Sequence, residues 1–199
     1  MKALLHICCS ICALGAYRRL RDEGWQVRGH FFNPNIHPLI EFRRRKKSVQ
    51  VLQERISLPV EYEEDYGLWD FLRELQHQDQ PERCLECYRL RLEHTARRAA
   101  ELDADVFTTT LLTSKRQDVS ALKRIGEECG RQHGVDFLFR DWKGLSEDNR
   151  DEAKKMGLYR QQYCGCIFSE EERYRNTTRH LYRGPGPASG DRRWSDADD

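Results

Sequence analysis

No run of apolar residues in this chain approaches the roughly 18 that a membrane-spanning helix needs, so no spanning helix is expected. Charge of one sign is missing as well: 34 Lys and Arg stand against 33 Asp and Glu, a formal net charge of +1. The molecule therefore has no global field to draw it onto nucleic acid or membrane, and any such attraction must come from local patches. The opening residues, MKALLHICC, carry one lysine and an apolar stretch too short for a secretory signal, and they read as the first buried strand of a cytoplasmic protein. No internal repeat is visible. After that first strand the chain also lacks a glycine/serine-rich pyrophosphate loop of the SGGxDS kind. CCSIC stands there instead, with no glycine to let a phosphate approach the backbone.

What the chain has is cysteine. There are eight, and seven fall into three tight groups: Cys8, Cys9 and Cys12 in CCSIC, Cys84 and Cys87 in CLEC, and Cys164 and Cys166 in CGC. In a reducing compartment they should be thiols, metal ligands or catalytic groups rather than structural disulfides. A bridge between Cys164 and Cys166 would close a strained, very small ring. Cys129 stands alone inside the helical stretch ALKRIGEECGRQHG and reads as a buried packing residue. Packing does not account for the other seven.

Strand and helix signals alternate along the chain. KALLHICC, WQVRGHFFN, PVEYEED, ADVFTTTLL and VDFLFRDW read as strands. SICALGAYRRLRDEG reads as a helix closed by Gly24, and Phe42, Val49, Leu52 and Ile56 keep helical spacing from Leu39 onward. GLWDFLRELQ, CYRLRLEHTARRAAELD, VSALKRIGEECGRQHG and SEEERYRNTTRHLY read as further helices. The repeated strand-helix order predicts an α/β fold, a single domain over residues 1–182 with a parallel sheet and helices on both faces. The Gly/Pro/Asp-rich stretch 183–199 is expected to be a disordered tail. Ligands in such a sheet sit at the carboxyl ends of the strands, which is where Cys8, Cys9 and Cys12, FNPNIHP and TTTLLTSK fall. A cysteine-rich metal site is expected at that edge, with CLEC and CGC folding over it.

Spacing does not settle the metal. Zinc prefers four ligands in CxxC pairs or Cys/His mixtures, and only Cys84 and Cys87 form a CxxC. An iron–sulfur cluster accepts irregular spacing and is favoured, with zinc and thiol redox chemistry as the alternatives. Seven thiols exceed the need of one cluster, which leaves room for a second metal.

LLHICC, FFNPNIHP, RCLECYRLRLEHTA, FTTTLLTSKRQD and GLYRQQYCGCIFS, in that order, resemble the cobalamin-independent epoxyqueuosine reductase family over residues 3–170. The resemblance implies a Rossmann-like α/β protein carrying a [4Fe–4S] cluster and an adjacent mononuclear iron. It further implies reduction of epoxyqueuosine at the tRNA wobble position to queuosine, the last step of queuosine synthesis. On this resemblance Cys8, Cys9, Cys12, Cys84, Cys87, Cys164 and Cys166 are the metal ligands. Some relatives have an aspartate where this chain has Cys12, so Cys12 is also a candidate catalytic group. The implied partners are a tRNA anticodon stem-loop carrying epoxyqueuosine and an external electron donor, with no membrane.

Polar residues near the clusters have two readings each. His37 is a candidate proton donor or a turn histidine satisfied by backbone, and Asp141, at the end of a strand, is a candidate proton-handling group. Asn33 and Asn35 are turn formers or substrate contacts. Thr109 and Ser114 offer hydroxyls to substrate or phosphate, while Tyr159, Arg160 and Gln161 lie just ahead of CGC, where Arg160 can meet a base or sit in a surface ion pair. In the run RRRKK, Arg43 and Lys47 are either a solvated helix face or a hold on anticodon-stem phosphates. The rival from another class is a zinc-stabilised RNA-binding module without redox activity. A second rival, an ATP-dependent tRNA sulfur-transfer enzyme, is disfavoured by the missing pyrophosphate loop.

Overall fold

The computed structural model describes residues 1–75 and 81–178. The stretch 183–199 and the boundary at residue 182 lie outside the described residues. Five strands form one all-parallel sheet in the order β3-β2-β1-β4-β5. They are β1 (Lys2–His6), β2 (Gln26–Phe31), β3 (Val60–Tyr62), β4 (Val106–Thr109) and β5 (Asp136–Phe137). Between and after them come α1 (Ser10–Asp22), α2 (Leu39–Ile56), α3 (Leu68–Glu74), α4 (Glu82–Glu101), α5 (Val119–His133), α6 (Leu145–Asp148), α7 (Arg150–Lys155) and α8 (Ile167–Tyr174). Helices α1 and α2 follow strands that step one way from β1, while α4 and α5 flank β4 on the other side. Right-handed crossovers therefore put the two pairs on opposite faces of the sheet. The expected α/β sheet with helices on both faces is the observed architecture.

Local chemistry explains the elements. β1 is buried from Ala3 to His6, as a central parallel strand covered on both faces must be. Asp118 caps α5 by accepting from the Ala121 amide at 3.0 Å, and Gly134 closes it at φ +69°. The inner face of α5 carries Leu122, Ile125 and Cys129, and a side chain at Gly126 would run into the Phe137 ring. Among the described residues no helix is long and apolar enough to cross a membrane.

The last strand is shorter than the sequence suggests. β5 pairs only through Val106–Asp136 and Phe107–Phe137, with one further bond from the Leu138 amide to the Phe107 carbonyl. Beyond that point β4 tightens into a 3₁₀ turn, Thr110–Thr113, so residues after 138 have no neighbouring strand to pair with. Asp141 accordingly sits in a loop, and α6 and α7 occupy a stretch that carried no strong periodic signal.

The chain leaves β1 towards β2 on one side, while β4 lies on the other. The crevice above β1 and β4 is thus the topological switch point, where ligands of open α/β sheets bind.

Candidate metal centre and substrate cavity

Cys8 and Cys9 leave the carboxyl end of β1, and Cys12 lies in the first turn of α1. All three are buried, with sulfur atoms within 4.8 Å of one another, a set able to hold a metal. Cys9 is the N-cap of α1, and its sulfur accepts from the Cys12 amide at 3.4 Å. Thr110, at the end of β4, serves Cys8 twice: its hydroxyl accepts from the Cys8 amide at 3.0 Å and donates to the Cys8 sulfur at 3.3 Å. Hydrogen bonds from Cys12, Cys9 and Thr110 hold the Cys8 thiol well below its ordinary range. The same contacts with Cys12 and Cys8, with burial, push Cys9 up, and the bond with Cys8 pushes Cys12 up. One thiolate among three neighbours is what a dry site permits without a cation to offset the charge.

Below them the strand ends are polar. His6 shares a hydrogen bond with Thr109 Oγ1 at 2.9 Å through Nδ1 and donates from Nε2 to the Phe32 carbonyl at 3.0 Å. Burial, aided by Arg91, lowers its pKa to about 4, so it stands neutral. Thr109 also accepts from the Leu111 amide. Its hydroxyl is consumed within the fold.

The other four clustered cysteines come from the first turns of α4 and from the segment before α8. Cys84, Cys87, Cys164 and Cys166 line one cavity of about 350 Å³. Cys8, Cys9, Cys12 and Cys164 line a second, of about 270 Å³. Cys164 belongs to both walls, and it is the exposed member of the set. Burial drives Cys87 to about 12 and Cys166 to about 11. Arg91, itself buried, donates to the Cys87 carbonyl and, at 3.2 Å, to its sulfur.

The CGC segment is fixed from below by Arg45. This arginine is fully buried, bonded through Nε to Glu41 at 2.7 Å and donating to the carbonyls of Cys164 and Tyr163, each at 3.0 Å. Burial works against its charge, and Glu41 with Cys9 more than offsets that. Gly165 passes at φ +116°, where a Cβ would lie 2.9 Å from Ile36 and 3.1 Å from Arg45, so this position needs glycine. The Gly165 carbonyl accepts from the His37 amide at 2.7 Å, and Tyr163 donates its hydroxyl to the His37 carbonyl.

The remaining candidates divide by place. Ser114, Arg160 and Gln161 line the Cys8–Cys9–Cys12 cavity, and Asn35 lines the other. Asn35 Oδ1 and Gln161 Oε1 are buried and take no hydrogen bond within the protein. Asn33 is buried and donates to the Ile7 carbonyl, tying the loop after β2 to the end of β1. The His37 ring bonds Tyr66 at 2.8 Å and packs on Phe71 outside both cavities, and burial lowers its pKa to about 4. Tyr159 gives its hydroxyl to Glu41. Arg43 and Lys47 are exposed on α2, and exposed Asp141 accepts from the Lys143 amide, away from both cavities.

Sequence reasoning missed the roles of Arg45, Glu41 and Arg91, and the Thr110 hydroxyl, read with its threonine neighbours as free for substrate or phosphate, is bonded to Cys8. A signal for Arg45 was present: it falls in phase with Phe42, Val49 and Leu52 on the buried stripe of α2, four residues after a carboxylate.

The family Epoxyqueuosine reductase QueH matches residues 3–172 of the chain. Among curated relatives, the epoxyqueuosine reductase QueH of Helicobacter pylori is 36% identical over 179 residues, 83% of this chain and 48% of that protein. The chain thus spans about half of that relative. The same-named proteins of Dehalococcoides mccartyi and Thermotoga maritima are 31% and 34% identical, covering 87% and 85% of this chain and 94% and 91% of theirs. The matched span takes in all three cysteine groups and the lining of both cavities except Arg173, and this chain belongs to the epoxyqueuosine reductase QueH family of oxidoreductases.

Proposed function

We propose that this protein reduces epoxyqueuosine at the wobble position of tRNA to queuosine in the cytoplasm, drawing electrons from an external donor. The observation that carries the reading is the pair of adjoining thiol-lined cavities that share Cys164 at the sheet's switch point. Converting an epoxide to an alkene consumes two electrons and two protons, and the oxygen leaves as water. The donor set fits the expected cofactors: seven soft thiols, more than the four a [4Fe–4S] cluster takes, leave ligands for an adjacent mononuclear iron. When bound, these centres supply one-electron transfer and a Lewis acid for the epoxide oxygen.

The chain's own residues bind and position. Asn35 Oδ1 and Gln161 Oε1, buried without protein partners, are acceptors available to a ligand in either cavity. Arg160 and Ser114 stand on the wall of the Cys8–Cys9–Cys12 cavity, within reach of a base or ribose that enters it. Arg43 and Lys47 hold the stem at a distance through its phosphates.

Anaerobic metal and sulfide analysis, paired with an assay on epoxyqueuosine-containing tRNA, tests this. Iron above about four per chain with sulfide near about four is expected. Cys164→Ser and Cys166→Ser should each lower bound iron and abolish turnover while the circular dichroism spectrum holds. Stoichiometric zinc without sulfide, in a colourless protein that still binds RNA, would instead establish the zinc-stabilised RNA module.

A further inference from the structure

Ten of the 22 described arginines are paired with acids, among them Arg18 with Glu152, Arg28 and Arg98 with Glu61, Arg140 with Glu23 and Arg83 with Glu172. Four arginines that line the Cys8–Cys9–Cys12 cavity differ. Arg116 follows the 3₁₀ turn, Arg150 opens α7, Arg160 precedes CGC and Arg173 lies in the last turn of α8. All four are exposed, and among the described residues none has a carboxylate within ion-pair distance. The carboxylate on that wall, Glu147, is bonded to Lys115. In a chain of net charge +1, four separate segments thus bring guanidinium groups to one cavity whose wall carries a single carboxylate, Glu147, shared among Lys115, Arg150 and Arg160.

We infer that Arg116, Arg150, Arg160 and Arg173 form a phosphodiester cradle that grips the RNA backbone on either side of the nucleotide entering the thiol-lined cavity. The inference rests on the proposed reaction for its choice of an RNA substrate. Guanidinium groups match phosphate oxygens in a planar, bidentate fork, and several of them around one opening suit a ligand with more than one phosphate. A cavity of about 270 Å³ is on the scale of a small-molecule site and cannot admit a duplex. The base must therefore leave its stack and enter alone, and the backbone on both sides of it must be held at the rim. A free phosphate or mononucleotide shares this chemistry but would occupy only part of such a rim.

The test uses the full chain, purified anaerobically with its metals, and a fluorescent anticodon stem-loop bearing guanosine at the wobble position. Each of Arg116→Gln, Arg150→Gln, Arg160→Gln and Arg173→Gln should weaken binding about 3- to 10-fold. Each should also lower the slope of log affinity against log salt by about 0.7, the value for one single-strand phosphate contact. Arg→Lys at the same positions should restore the slope and only part of the affinity. Arg55→Gln and Arg131→Gln, in the last turns of α2 and α5 at the opposite edge of the sheet, set the baseline for loss of a charge. Rim variants with the slope of these two would overturn the cradle. In a second arm, inorganic phosphate and guanosine monophosphate compete at ionic strength matched with chloride. Selective displacement by either at millimolar concentration identifies a small-anion site and overturns the RNA assignment. Binding through these arginines without turnover of epoxyqueuosine would refute the reaction alone, whereas full turnover with all four replaced would refute the cradle alone.

Discussion

The two cysteine-lined cavities are held together by different means. Cys8, Cys9 and Cys12 are placed by main chain, at the end of the central strand and in the first turn of the helix that follows. Cys164 and Cys166 sit in a segment without regular structure, held by a buried arginine 119 residues away in sequence from Cys164. The first group has its geometry from hydrogen-bonded backbone that the whole sheet supports. The second depends on tertiary contacts: Arg45, paired with Glu41, holds two of its carbonyls, and the His37 main chain meets the Gly165 carbonyl and the Tyr163 hydroxyl, so one substitution at Arg45 can loosen it.

Arg45→Met breaks the comparison where the largest effect is expected. It leaves Glu41 buried with the Tyr159 hydroxyl as its partner, and removing one member of a buried pair costs about 3–5 kcal/mol. Urea melts of the metal-free protein should show a loss of that order. The purified variant should lose iron, with its remaining thiols at Cys164 and Cys166 open to alkylation, while Cys8, Cys9 and Cys12 stay protected. Arg45→Lys should recover part of the stability, since an ammonium group cannot serve Glu41 and both carbonyls in one plane. Full iron and unchanged protection of Cys164 in the methionine variant would show that the segment holds itself.

The same contrast explains what could be read from the sequence. Strand-helix alternation gave the parallel sheet, and the rule for its carboxyl edge placed CCSIC there, because both rest on local periodicity and one topological regularity. The convergence of CLEC and CGC was expected from the shared chemistry of thiols, and the side chains that bring CGC in were not. Arg45 was hidden in RRRKK, where neighbouring charges suggest a solvated face, yet its phase on α2 is that of the core. Thr109 had the opposite fate: its hydroxyl looked free at a strand end, but it closes a bond to His6 and accepts the Leu111 amide. Asp141 was expected at a strand end, but β5 stops at Phe137, since β4 turns away after Thr109 and leaves the residues after Leu138 without a partner strand. Pairing partners of this kind are tertiary facts, and single-chain patterning is blind to them.

Acid should separate the cavities next, through α4, which carries Cys84 and Cys87 at its start. His30 on β2 and His94 on α4 lie nearly coplanar, with ring centres 5.2 Å apart and Nε2 to Nδ1 at 3.0 Å. The nitrogens therefore meet head-on, as in an N–H···N hydrogen bond between neutral rings. Burial lowers His30 to about 3 and His94 to about 4. The sign follows from proton uptake: between those values and about 6.5 the unfolded chain binds more protons than the folded one. Stability is thus complete above about pH 6.5 and falls on acidification, by about 1.4 kcal/mol per pH unit for each such histidine. Urea midpoints should drop steadily from pH 6.5 to pH 4, with hydrogen exchange in α4 rising ahead of that in α1. Midpoints that stay level across this window, or a His30→Gln variant with the same acid loss, would assign the effect elsewhere.

The smallest effect is expected at the cysteine that belongs to neither cavity. Cys129 is fully buried on α5, in the same core as Leu122 and Ile125, and burial pushes its thiol up to about 11. A thiol in that state is protonated near neutrality and is a poor ligand or nucleophile. Its sulfur fills space on the buried face of α5, so Cys129→Ala removes one buried atom and leaves a small void. The cost should be about 1 kcal/mol, at the low end for a core truncation because little volume is lost. Iron content, visible absorbance and the salt dependence of RNA binding should all match the parent protein, which sets this variant apart from any change at the seven clustered cysteines. Loss of visible absorbance in Cys129→Ala would mean that the division of eight thiols into seven ligands and one packing residue is wrong. The two-cavity site would then need a ligand from the far end of α5.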